Sequence, residues 1–141
     1  MMSNTKTTEE LEIIEYLKNR CEYSRTKLKE MPDIHSRHGA LEFQSFGGLL
    51  EIVMPHPAVI QYDYFNIEAK HIETVALAKD AVAAMYYLAG SCKVKDGPTI
   101  SNYAARVTEV FVKEDGKWKG RIGHWSPLFG QKGLPDKFGA D

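Results

Sequence analysis

Cysteine is scarce. The 141 residues hold two, Cys21 and Cys92, too few and too far apart for a disulfide framework and without the spacing of a metal or redox motif, so they read as buried free thiols. A surplus of one charge is also missing: the formal net charge is −1, which leaves no general field for nucleic acid or an anionic membrane, and neither is an expected partner. No apolar run approaches a membrane span, and the polar opening residues lack the apolar middle of a signal peptide. The expectation is a soluble, cytoplasmic protein. Gly47 and Gly48 open no helix and belong to no glycine-rich repeat, so they mark a turn or bulge and no phosphate loop. His35, His38 and His56 lack a recognisable carboxylate spacing, and no metal site is expected. Linkers and repeats are absent, and the length fits one domain over 1–141.

What is present is hydrophobic patterning that changes period. Thr7 and Glu10 form a capping-box signature. Leu11, Ile14, Leu17, Cys21 and Leu28 follow at helical spacing, flanked by Ile13, Tyr16 and Tyr23, while Glu12, Lys18, Asn19, Arg20 and Lys27 fill the other side. This predicts one amphipathic helix of about six turns, stopped by Pro32. From Ile34 to Pro57 two apolar segments flank Gly47-Gly48. Ala40–Phe46 reads as strand, and Leu49–Met54 stays open between strand and helical turn. Strand-like runs follow at Ala58–Phe65, Lys70–Ala78 and Ala81–Val94. The segment 129–141 is rich in Gly and Pro and reads as a tail.

The stretch from Thr99 to Leu128 organises the rest. Two alternating runs flank Asp115-Gly116 and predict a long antiparallel hairpin. With a two-residue turn, Glu114 pairs with Lys117 and the register counts back to set Arg106 opposite Trp125. That count puts Arg106 and Thr108 on one face with Gly123 and Trp125, and Val107 and Glu109 on the other with His124 and Ser126. One long helix followed by antiparallel strands is an α+β plan, a helix on one face of a curved sheet.

The opening helix and the pattern Arg106-Val107-Thr108-Glu109-Val110-Phe111-Val112, Asp115-Gly116-Lys117-Trp118-Lys119, His124-Trp125-Ser126 resemble the nuclear transport factor 2-like superfamily. That superfamily includes SnoaL-like cyclases, ketosteroid isomerases and the association domain of calcium/calmodulin-dependent kinases. The resemblance implies a cone-shaped, curved antiparallel sheet around a long N-terminal helix, a homodimer, and a pocket into which Arg106 and Trp125 point. By the same analogy Tyr86, with Leu88 on its side of the strand, faces the cavity. No equivalent of the ketosteroid isomerase base and oxyanion set falls at matching positions.

Each candidate has a functional and a structural reading. Arg106 could fix a ligand carboxylate or enolate, or pair internally with Glu42, Glu73 or Trp125. Trp125 could stack on a planar ligand or cover Arg106. Tyr16 and Tyr23 could each bring a phenol to the pocket. His124 is the residue type of a general base, but the register sets it on the face opposite Arg106. Glu42 and Asp63 are the carboxylates a cavity could draw in and tune for acid–base work. The leading expectation is a binder of a small, largely apolar molecule with one polar or anionic group. As an enzyme it would move a proton next to a carbonyl, as an isomerase, cyclase or lyase, with no cofactor. The alternative is a homo-oligomerisation domain with a vestigial pocket.

Overall fold

The computed structural model describes residues 5–128; the expected Gly/Pro-rich tail at 129–141 lies outside them. Helix α1 (Thr8–Lys27) starts at the anticipated capping box. The Glu10 amide donates to Thr7 Oγ at 3.0 Å and the Thr7 amide to Glu10 Oε1 at 2.9 Å. The second Glu10 oxygen accepts from the Ala76 amide at 2.8 Å, tying the helix start to the sheet. The helix closes at Leu28, in a left-handed cap (φ 58°) whose amide donates to the Ser24 carbonyl, before Pro32 is reached.

The face α1 buries differs from the one the periodicity suggests. Ile13, Leu17 and Ser24 are buried, whereas Leu11 is 53% exposed. Arg20 and Glu12, expected in solvent, turn toward the sheet because partners wait there: Trp118 Nε1 donates to Glu12 at 2.8 Å, and Arg20 meets Glu109.

The six strands are β1 (Ala40–Phe43), β2 (Glu51–Val53), β3 (Tyr62–Ala78), β4 (Ala81–Val94), β5 (Thr99–Glu114) and β6 (Lys117–Pro127), in sheet order β2-β1-β6-β5-β4-β3. Only β1 beside β6 is parallel. The segment left open by the sequence supplies β2, antiparallel to β1. The two runs between Ala58 and Ala78 join into the single long β3, whose irregularity at Lys70–Glu73 holds His71 at φ 55°. In β4, Gly90 (φ 147°) sits at the bulge facing Tyr103, where a Cβ would lie 1.9 Å from the Asn66 carbonyl oxygen. Only glycine fits this backbone.

The β5–β6 hairpin turns at Asp115-Gly116 with Glu114 opposite Lys117, as expected, but its register then shifts. Phe111 pairs with Gly120 and Val110 with Ile122, leaving Arg121 as an extra residue. The cause is non-local. The Gly120 amide donates to the Ile34 carbonyl at 2.7 Å and its carbonyl accepts from the Ser36 amide at 2.8 Å, while Arg121 donates to the Gly39 carbonyl. Beyond this bulge every side chain of β6 changes faces relative to the simple count. Arg106 therefore lies opposite Ser126, and Trp125 opposite Val107.

The curved, open sheet wraps α1 on its inner face. There Ile13 and Leu17 meet Val82, Ala84, Val107 and Phe111 in the core. None of the described helices is long and apolar enough to cross a membrane.

Candidate functional site

Two sets of polar residues stand out, one on each face of the sheet. The inner set joins α1 to β4 and β5. Arg20 reaches Glu109 Oε1 at 2.7 Å and the Tyr86 hydroxyl at 2.8 Å, and the Tyr86 hydroxyl donates to the same Glu109 oxygen. The second Glu109 oxygen accepts from Arg20 at 3.4 Å. The guanidinium also lies 5.6 Å from the Tyr16 ring centre and 5.9 Å from that of Phe111. Both side chains of the ion pair are nearly out of solvent, Glu109 at 4% and Arg20 at 16% exposure.

Burial opposes the charge on Arg20, but the Glu109 carboxylate outweighs it and holds the guanidinium above its ordinary pKa. Burial, and then the negative Glu109, push the Tyr86 hydroxyl well above the usual phenol value. Burial also raises Tyr16, whose hydroxyl has no hydrogen-bond partner among the described residues. The set is thus a closed ion pair with Tyr86 as a neutral donor, and both Glu109 oxygens accept hydrogen bonds within it.

The outer set lines an open groove of about 700 Å³. Arg106, Thr108, His124 and Ser126 stand on β5 and β6, with His71, Glu73, Met85 and Tyr87 on β3 and β4. Arg106 is exposed and makes no hydrogen bond or ion pair among the described residues. The His71 ring meets Tyr87 edge-on at 6.0 Å, and His124 packs on Phe43 at 5.1 Å.

The residues singled out from the sequence are thereby redistributed. Arg106 and His124, expected on opposite faces, share the outer one, and Trp125, expected beside Arg106, lies on the inner one. There its ring covers Gly123, where a Cβ would come within 2.5 Å of it. Tyr86 is buried inside; Tyr16 and Leu88 pack against the core, and Tyr23 is half-buried. Glu42 is buried against His35 at 3.2 Å, and Asp63 is exposed and paired with Lys93 at 2.8 Å. Of the three acid–base candidates only His124 lines the same groove as Arg106; Glu42 and Asp63 do not. Groups of three or more metal-ligating side chains do not occur among the described residues.

Sequence reasoning missed Arg20 and Glu109, although a signal existed for both. Arg20 follows Tyr16 by four residues and Leu17 by three, which places it on the buried stripe. Glu109 stands between Val107 and Phe111 at strand spacing, so an inward carboxylate needed a cation.

No family model matches the sequence, and no curated protein matches it. Solved structures do match its fold. The CamKII hub homology domain of Chlamydomonas reinhardtii superimposes with a TM-score of 0.59 at 13% identity, over 87% of this chain and 100% of that one. An NTF2-like protein of unknown function from Pseudomonas putida KT2440 gives 0.58 at 17% identity, over 92% and 93%. The association domain of C. elegans CaMKII gives 0.54 at 12% identity, over 82% and 93%.

Proposed function

We propose that this chain, which has the nuclear transport factor 2-like fold, is a self-association domain that forms at least a homodimer through the outer face of its sheet. One observation carries the reading. A row of apolar side chains, Ile52-Leu41-Ile122-Val110-Ala83-Val75, runs strand to strand across all six strands. At about 4.8 Å per strand the row is roughly 24 Å wide. Ile52 is 69% exposed and Val75 58%, with Met85 and Tyr87 beside them also open to solvent. A patch of this kind on a single chain marks an interaction surface. Burying it against an identical face would give an isologous interface. The association and hub domains among the solved structures of the same fold support the reading.

The closed inner set supports it from the other side, because the space beneath the helix is taken by an ion pair and its aromatic neighbours. Sedimentation velocity over a range of concentrations tests the proposal. The wild type should sediment as a dimer or larger species, and Ile122→Lys as a folded monomer. A wild type that stays monomeric at all concentrations would overturn it.

A second reading, a small-molecule binder, is favoured by the open outer groove of about 700 Å³, in which Arg106 has no hydrogen bond or ion pair among the described residues. A ligand carrying one anionic group would meet it. Native mass spectrometry of the protein as purified, beside a denatured run, decides this: an adduct lost on denaturation supports the binder.

A further inference from the structure

We infer that the outer groove seats a small oxyanion, carboxylate or phosphate, shared by two copies of the chain, and that its binding tightens their association. The inference rests on self-association through this face. Beside the apolar row lie two further rows, Phe43-His124-Thr108-Met85-Glu73 and Ser126-Arg106-Tyr87-Lys70. Two of their three charged side chains have partners: Lys70 is 3.2 Å from Glu68, and Glu73 is 3.8 Å from Lys6. Arg106 has none among the described residues and stands on β5, flanked by β6 and β4 in the interior of the sheet.

A two-fold axis through the middle of this face brings each Arg106 toward its copy. Two like charges would then enter a region of reduced dielectric, where repulsion grows. A guanidinium cannot shed its proton to escape this. The charge must be met from outside, and planar donors select a carboxylate or phosphate oxygen pair. The surroundings suit such a guest. The Ser126 hydroxyl is cross-strand from Arg106, Thr108 lies two residues on, and the His71 and His124 rings line the same 700 Å³ space. Each ring can donate a hydrogen bond to such a guest. Neither copy alone encloses the guest, since the groove is open on the side the partner would cover.

The test is the dimer dissociation constant, measured by sedimentation at fixed ionic strength in chloride, inorganic phosphate or succinate. The favoured anion, at ten times its own dissociation constant, should tighten the dimer about tenfold; the phosphate and succinate arms tell which chemistry fits. Arg106→Leu should still dimerise, with the same constant in all three salts, and Arg106→Lys should keep part of the response. An identical constant for the wild type in all three salts would overturn the inference while leaving self-association intact, as would an Arg106→Leu protein that responds like the wild type. A wild type that is monomeric throughout removes self-association and the shared site with it.

Discussion

Arg20 of the helix and Glu109 of β5, separated by 89 positions in the chain, meet at 2.7 Å beneath the helix, and that contact joins the two layers of the fold. It is flanked by the Tyr86 hydroxyl and closed over by Tyr16 and Phe111. The geometry satisfies the carboxylate so fully that removing either partner leaves a charge stranded in the core.

Arg20→Met should cost roughly 3–5 kcal/mol, the usual penalty for orphaning one member of a buried pair. The double variant Arg20→Met/Glu109→Leu should recover much of that loss. Urea unfolding of the three proteins measures it, and equal losses in the single and double variants would show that the stranded carboxylate is not the cause.

Gly90→Ala should be among the most damaging single substitutions, costing about 4 kcal/mol or more. Its Cβ would sit 1.9 Å from the Asn66 carbonyl oxygen and 2.8 Å from the Ile67 Cα, both backbone atoms that cannot swing aside, at φ 147°. Thermal unfolding, or loss of soluble protein on expression, reports the outcome.

Gly123→Ala should act more mildly, because the atom it meets belongs to a side chain. The new methyl would displace the Trp125 ring, at a cost of about 1–3 kcal/mol. A changed tryptophan emission maximum without loss of secondary structure by circular dichroism is the expected signature.

Acid should destabilise the fold through α1. Hydrogen bonds from the Thr7 and then the Ala76 amide hold the Glu10 carboxyl below its ordinary 4.5, and those from Trp118 and then Lys113 do the same for Glu12. A depressed pKa means that the folded state binds fewer protons than the unfolded one, so this stabilisation is present above pH 4.5 and is lost as pH falls through the depressed values. Melting temperatures measured across that range should fall less steeply for Glu10→Gln than for the wild type.

What was legible in the sequence is what is decided locally. The capping box, the limits of β4 and the Asp115-Gly116 turn depend on residues a few positions apart, and each appears where the pattern put it. What was not legible depends on distant partners. The shift that moves Arg106 away from Trp125 is set by Ile34 and Ser36 bonding Gly120. The inward turn of Arg20 is set by Glu109, and Leu49–Met54, which supplies β2, stayed open between strand and helical turn because its side chains are mostly exposed and show no alternation. The candidate site suffered most, since one extra residue in a strand reverses which side chains share a face.

The parallel pairing of β1 with β6 also dictates an order of events during synthesis. The meander from β3 to β6 joins strands that follow one another along the chain, so each can dock as it leaves the ribosome. The β1–β2 hairpin, although made earlier, has no place in the sheet until the last strand arrives, because Leu41 and Phe43 need Ile122 and His124 beside them. Leu41 and Phe43 therefore wait without their β6 partners through most of translation. A nascent chain stalled before β6 should be the species that chaperones hold and proteases cut.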